Sequence, residues 1–208
     1  MPTHKVQQGD HVSALTDKFG FRELKTIWDH PNNAALKKKR KDPHILFPGD
    51  EIFIPDKEEK TVQGATAKLH TFHVKTEPLK LKLLVQDINH KPRANAECRL
   101  DIDGAVTFEK TGADGTITKV IPKSAKRGTL ALPDLDVPLL IGHLDPVEEE
   151  SGQIARLDNL GYEAGDVDSP DAERLKSAIE EFQCDNDLTV DGICGAATQA
   201  KLKDVHGC

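Results

Sequence analysis

The sequence predicts an α+β multidomain chain: a βααβ module, then an antiparallel β-sandwich, then a three-helix bundle. Three observations predict it. The hydrophobic period changes twice, from helical spacing to strict alternation near Leu69 and back to helical spacing after Asp145-Pro146. The charge shifts at the second of these points: residues 145–208 hold 5 Lys and Arg against 16 Asp and Glu, whereas 1–56 hold 9 against 8 and 57–144 hold 14 against 11. Finally, 208 residues with 37% hydrophobic and only 4% aromatic side chains suit several small cores better than one thick one. The expected divisions are 1–56, a linker at 57–68, 69–144 and 145–208.

In the first module, residues 4–8 read as a short strand that Gly9-Asp10 turns into a helix. Val12, Leu15 and Phe19 make one buried stripe there, and Gly20 ends it. A second helix is expected near 22–29, with Leu24, Ile27 and Trp28 on one face and Pro31 as its stop. "ILFPGDEIFIP" then supplies a Pro48-Gly49 turn and a strand from Glu51 to Ile54. "DKEEKTVQGATAK" (56–68) has no apolar period and reads as a linker.

In the middle, "LKLKLLV" (79–85) places Leu79, Leu81, Leu83 and Val85 on one face and Lys80 and Lys82 on the other. Further strands are expected at 70–76, 96–102, 105–110, 116–121, 128–132 and 137–141, with Asp103-Gly104 and Asp114-Gly115 as hairpin turns. In the last third, Ile154, Leu157 and Leu160 precede a capping Gly161. Ser169-Pro170 should start a second helix that buries Ala172, Leu175, Ile179 and Phe182. "VDGICG" reads as a tight loop and "AATQAKL" as the start of a third helix.

Several functions are excluded by composition and pattern. No apolar run reaches the ~18–20 residues of a membrane helix. The acidic C-terminal third argues against general nucleic-acid binding, which needs clustered Lys and Arg. His70 and His73 point to opposite faces of the expected strand and cannot share a metal, so neither metal nor cofactor is expected. No pair of carboxylates is set across a cleft as glycoside hydrolysis requires. The first residues show no basic and apolar leader. The chain is therefore expected to be made in the cytoplasm and to reach the periplasm or wall by a route other than the general secretory one. Cys98, Cys184, Cys194 and Cys208 have no zinc spacing. A bridge among the last three is open in an oxidising space, with its pairing undetermined.

The residues "VQQGDHVSAL" (6–15), Gly20 and "ILFPGDEIFIP" (45–55) resemble a LysM domain, a βααβ unit that binds N-acetylglucosamine-containing glycans. The resemblance covers about a quarter of the chain. It implies a shallow groove lined by Gly9, Asp10, His11 and Val12 on one side and by Ile45, Leu46, Phe47, Pro48 and Gly49 on the other. The same Gly and Pro residues also serve the turns. "NNAALKKKRKDPH" (32–44) is longer than usual for the family and resembles LysM-like domains of phage-tail and secretion proteins, some of which bind protein. Its Lys37, Lys38, Lys39, Arg40 and Lys41 are either a solvated stretch or an electrostatic contact for an acidic surface.

"RLDNLGYEAGDVD" (156–168) and "LKSAIEEFQCDNDLTVDGICGAATQAKL" (175–202) resemble the peptidoglycan-binding domain 1 family. That likeness implies a ligand surface on or near Tyr162, Asp191, Gly192, Gly195 and Thr198, although Asp191-Gly192 also reads simply as a turn. The middle segment resembles immunoglobulin-like or carboxypeptidase-regulatory-like modules, notably at "TGADGTITKVIP" (111–122). "HGC" at the end matches a motif of L,D-transpeptidases, but nothing else of that family's catalytic domain accompanies Cys208, so no catalytic residue is expected. The resemblances together imply a non-catalytic binder of cell wall peptidoglycan, working as an accessory of type VI secretion or phage-tail-like contractile machines. The rival reading is a structural adaptor that docks a protein of a secretion spike or tail.

Overall fold

The computed structural model describes residues 3–58, 61–71, 73 and 77–208. It contains both helices and antiparallel sheets, and it divides into two compact units. One comprises residues up to His44 together with Pro48–Gly142; the other joins Ile45–Phe47 to His143–Cys208.

In the first unit, β1 (Thr3–Lys5) pairs antiparallel with β2 (Glu51–Phe53), His4 lying opposite Ile52. Between them run α1 (Val12–Lys18), α2 (Lys25–Trp28), a 3₁₀ turn at Pro31–Asn33 and α3 (Ala34–Arg40). Helix α1 forms because His11 is extended and caps it, while Val12 and Leu15 are fully buried. The second helix is shorter than the spacing predicts. Pro31 starts the 3₁₀ turn, and the basic stretch beyond it is helical, an element the periodicity did not reveal because Leu36 is its single buried apolar residue.

Two polar side chains fix these short elements. The buried Asn33 donates from Nδ2 to Ile27 O and Phe53 O, 2.8 Å each, and accepts from Phe53 N–H at 2.7 Å. It therefore ties the helices to the edge of β2. Arg40 donates from Nε to Asp50 Oδ2 at 2.6 Å and from Nη2 to Asp50 Oδ1 at 3.0 Å. The two side chains are only 4% and 5% exposed. This bidentate pair anchors the C-terminal end of α3 beside the start of β2.

The rest of the unit is β structure. Strand β3 (Leu79–Leu84) pairs with β6 (Thr116–Ile121), and β4 (Glu97–Ile102), β5 (Ala105–Lys110), β7 (Arg127–Leu132) and β8 (Leu135–Leu140) form a four-stranded antiparallel sheet in the order β5-β4-β7-β8. Asp103 and Gly104 both have positive φ, as a tight two-residue hairpin between β4 and β5 demands. Leu100, Ile102, Leu130 and Leu132 from the larger sheet share one apolar cluster with Ile117, Ile121, Leu79, Leu81 and Leu83 from the smaller. The strand expected at 70–76 falls on Phe72 and Val74–Thr76, which lie outside the described residues. His70, Thr71 and His73 are not in a strand.

The second unit holds α4 (Glu150–Asn159), α5 (Ala172–Asp185) and α6 (Ala196–His206) around a core of Ile154, Leu157, Leu175, Ile179, Phe182 and Leu202. Gly161 takes positive φ just past α4, as its capping role requires. The start of α5 differs from the expectation. Asp171, not Ser169, is the cap: its Oδ1 accepts from Glu173 and Arg174 N–H at 3.0 and 3.2 Å, and its charge favours the helix N-terminus. Gly152 lets α4 approach the preceding turn, since a Cβ there would lie 2.0 Å from Pro146 O. Arg156 is fully buried and donates from Nη1 to Asp145 O and Gly152 O, 2.7 Å each, and from Nε to Cys208 O at 2.9 Å.

Removing one member of the Arg40–Asp50 pair leaves a buried charge unmatched. Asp50→Ala should cost about 3–5 kcal/mol in denaturant unfolding, and the double variant Arg40→Met, Asp50→Leu should lose much less.

Candidate functional site

The N-terminal candidate begins with a closed turn. Asp10 N–H donates to Gln7 O at 3.0 Å, Gln7 N–H donates to Asp10 Oδ2 at 3.0 Å, and His4 Nε2 lies 2.7 Å from the same carboxylate oxygen. His11 follows, its Nδ1 accepting from Ala14 N–H at 3.4 Å, and Val12 N–H donates to Pro43 O at 2.9 Å. Gly9 and Asp10 are half-buried, whereas His11 and Val12 are buried. On the second stretch, Pro48 is half-buried and Gly49 exposed, and Gly49 N–H donates to Val6 O at 2.9 Å. Ile45 and Leu46 are buried and Phe47 is half-buried within the second unit.

Burial decides the chemistry of His11. It is 3% exposed, and burial, followed by the neighbouring His44, pushes its pKa down to about 4, against a smaller opposing pull from Asp10. Its Nε2 is buried without a hydrogen-bond partner among the described residues. The imidazole is therefore neutral at pH 7.

The basic stretch is helical, and three of its five residues are paired within the protein. Lys37 Nζ reaches Asp29 Oδ1 at 2.5 Å, Lys39 Nζ reaches Asp50 Oδ1 at 3.3 Å, and Arg40 forms the buried pair described above. Lys38 and Lys41 are exposed, Lys41 with φ of 63° at the helix end.

The C-terminal candidate is built around Gln183, a fully buried residue near the end of α5. Its Oε1 accepts from Asp191 and Gly192 N–H at 2.9 and 3.0 Å. Its Nε2 donates to Asp191 Oδ1 at 2.8 Å, and to Ile193 O and Thr198 Oγ1 at 3.0 Å each. One neutral amide thus dictates the path of the whole 190–195 loop. Asp191 Oδ1 also accepts from Ile193 N–H at 2.9 Å, and these two bonds hold its carboxyl below the usual range.

The five residues singled out in this unit divide into two kinds. Tyr162 and Thr198 are buried. Tyr162 packs edge-on against Phe182 and donates from its hydroxyl to Asp185 Oδ2 at 3.1 Å, and burial, aided by Asp185, pushes its pKa up to about 12. Asp191 and Gly195 are exposed and Gly192 half-buried, so these three present the loop to solvent. Two apolar residues beside them are not marked by any sequence pattern: Val190 is 54% and Ile193 64% exposed. Gln183 is not among the residues singled out either. The sequence does contain a signal for it, a Gln directly after the last core residue of a helix and a few residues before a Val-Asp-Gly turn. Gly195 caps α6 without a side-chain bond, which leaves first-turn N–H groups beside the exposed loop. Backbone donors, a carboxylate and two bare apolar side chains suit an amide- and methyl-bearing ligand.

The four cysteines are unbridged: Cys98 is buried, Cys194 half-buried, and Cys184 and Cys208 are exposed. Burial raises the Cys194 thiol to about 11. His206 Nδ1 lies 3.2 Å from Cys208 Sγ, and burial together with Arg156 lowers the imidazole to about 4, a poor acceptor for a thiol proton. Among the described residues, no cluster of three or more His, Cys, Asp or Glu could hold a metal, and no helix is long and apolar enough to cross a membrane.

Residues 155–202, a little under a quarter of the chain, match the family model described as a putative peptidoglycan binding domain. The matched stretch contains α5, Gln183 and the whole 190–195 loop. No curated protein and no solved structure matches the chain.

Gln183→Leu, close in volume, should strand the loop donors and acceptors and cost about 2–4 kcal/mol in denaturant unfolding, on the scale of ~1–3 kcal/mol per buried group left unsatisfied. The His11 pKa carries a pH dependence. Below about pH 6.5 the unfolded chain takes up a proton that the folded chain refuses until about pH 4. Stability present above pH 6.5 is therefore lost as pH falls toward 4, by about 3 kcal/mol at ~1.4 kcal/mol per pKa unit. Thermal melts across this window should show the decline, and His11→Asn, which can still cap α1, should lessen it by about half, because His206 is also lowered to about 4 and titrates over the same window.

Proposed function

We propose that the protein is a non-catalytic binder of bacterial cell wall peptidoglycan, engaging it through the 190–195 loop of the second unit and, more weakly, through the LysM-like N-terminal module. The observation that carries the reading is the family match over 155–202, on a loop that Gln183 holds rigid and that exposes Val190, Asp191 and Ile193. A preformed loop loses little conformational entropy on binding, which favours recognition of a repetitive polymer by a small surface. Two weak sites on one chain gain ~10²–10⁴ in avidity when both reach the same polymer.

The N-terminal half of this reading rests on the LysM-like residues 6–15 and 45–55, with an N-acetylated amino sugar as the ligand. No cofactor is required. The order of modules supports placing the protein as an accessory of a contractile injection or secretion system that acts at the wall. The pairing of Lys37, Lys39 and Arg40 with acids of the same chain leaves Lys38 and Lys41 as the exposed remainder of the basic stretch, which weighs against the adaptor alternative.

Co-sedimentation with isolated peptidoglycan sacculi tests the proposal. The full chain should pellet with sacculi in both low and high salt, because the loop carries no cluster of positive charge for salt to screen. Ile193→Asp, at an exposed position outside the core, should keep the melting temperature and lower the pelleted fraction several-fold. A chain that stays in the supernatant, or whose retention is indifferent to Ile193→Asp, would sink the proposal for this loop.

A further inference from the structure

The β1–α1 loop that would face a sugar is already covered by the protein itself. Gly142, two residues past β8, lies against it: a Cβ added there would sit 2.7 Å from Gly9 O and 3.0 Å from His11 Cδ2. The approach is possible only for glycine, both for lack of space and because Gly142 has φ of +79°. The segment is held at its other side, where Ile141 N–H donates to Lys126 O at 2.9 Å. A second contact joins the same two parts of the unit, Lys123 Nζ to Arg22 O at 3.4 Å.

His11 records what the cover costs. Its Nδ1 accepts from Ala14 N–H, so in the neutral ring the hydrogen lies on Nε2. That N–H is buried and has no acceptor among the described residues. A buried donor with nothing to bond is rare in folded proteins. Cδ2, the ring atom bonded to Nε2, is the one that meets Gly142. The unsatisfied edge of the ring is therefore the edge that the strap covers.

We infer that the Ile141–Gly142 segment is a strap that closes the N-terminal sugar site, and that an N-acetylated amino sugar opens it by displacing Gly142 and giving His11 Nε2–H a carbonyl acceptor. This rests on the reading of the N-terminal module as LysM-like. The acetamido group fits because its oxygen is neutral, so it satisfies the donor without protonating the ring. Once Gly142 leaves, Gly9 O is also free to accept an N–H or hydroxyl of the same sugar. The closed form keeps a low affinity, because the binding-competent state is only a fraction of the population. A chain bound to the wall through its second unit meets a high local concentration of sugar, which is the condition that opens the strap.

The test uses the full chain, Gly142→Ala and the bulkier Gly142→Val, with two readouts. The first is modification of His11 by diethyl pyrocarbonate, followed by peptide mass spectrometry. The second is calorimetric titration with N-acetylglucosamine tetramer. His11 should resist modification in the parent chain and react at least tenfold faster in Gly142→Ala, and the tetramer should bind the variant at least tenfold more tightly. If His11 reacts equally in parent and variant, the strap is overturned. If His11 is unmasked but neither protein binds the tetramer, the cover stands, while the sugar reading of this module and the gating role both fall. Equal affinity in both, with His11 unmasked, overturns the gating role alone. Should Gly142→Val fail to fold, Gly142→Ala carries the same clash with a single methyl group.

Discussion

The exposed loop of the second unit has no regular secondary structure, and its shape depends on one side chain. Gln183 places a primary amide where helix α5 ends and satisfies both ends of it: two loop N–H groups on the oxygen, and a carboxylate, a carbonyl and a hydroxyl on the nitrogen. A neutral amide is well suited to this position. A carboxylate there would repel Asp191, and an apolar side chain would leave buried backbone groups without partners. Because Gln183 absorbs the inward-facing polar groups, Asp191, Val190 and Ile193 are left outward. The geometry of the proposed ligand surface is thus inherited from a residue that no ligand touches.

The same device recurs wherever the elements are too short to hold themselves. Asn33 bonds both backbone groups of Phe53 and the carbonyl of Ile27, joining helices of four and seven residues to a three-residue strand. Arg156 spans from α4 to the carbonyls of Asp145 and Cys208. With 4% aromatic residues, the chain lacks the large side chains that would fill such junctions by packing. Buried polar groups bonded to backbone take their place, and they bring directionality that apolar contact does not. Their drawback is steepness: each bonds well in one geometry only, and Arg156 still leaves its buried Nη2 without a partner among the described residues, so loss of a single partner is expensive.

How much of this is legible in the sequence follows from what each feature depends on. The strands from Leu79 onward and the helices α4 to α6 announce themselves because their buried faces repeat at a fixed period. Helix α3 does not, since Leu36 alone is buried and its far end is secured by a charge pair between residues ten apart in the chain. Asp171 rather than Ser169 is the cap, a choice between two plausible oxygens two residues apart that the local pattern leaves open. The family resemblance puts Tyr162 and Thr198 on or near a ligand surface, and it does not tell that their side chains are buried, one against Phe182 and Asp185, the other under Gln183. Burial of His11 is equally unreadable, because one of the residues against it, Gly142, lies more than a hundred residues away. Period is a local property, whereas exposure is set by what the rest of the chain places overhead.

On the proposed function, charge adds a last constraint on how the two parts of the chain would meet a wall. Residues 145–208 carry 16 acids against 5 bases, so a wall polymer bearing carboxylates would repel them. On the same proposal, long-range electrostatics oppose the approach of the second unit, and affinity there would come from short-range contacts: backbone hydrogen bonds and the apolar cover of Val190 and Ile193. Screening reduces the repulsion without touching those contacts. The first 144 residues are mildly basic and offer the opposite balance, with Lys38, Lys41, Lys80 and Lys82 exposed. Weak attraction from this part and short-range recognition by the other would act at different distances, one bringing the chain to the polymer and the other keeping it there. An arrangement of that kind tolerates a covered N-terminal site, since the basic surface can act on approach while the strap over His11 is still closed.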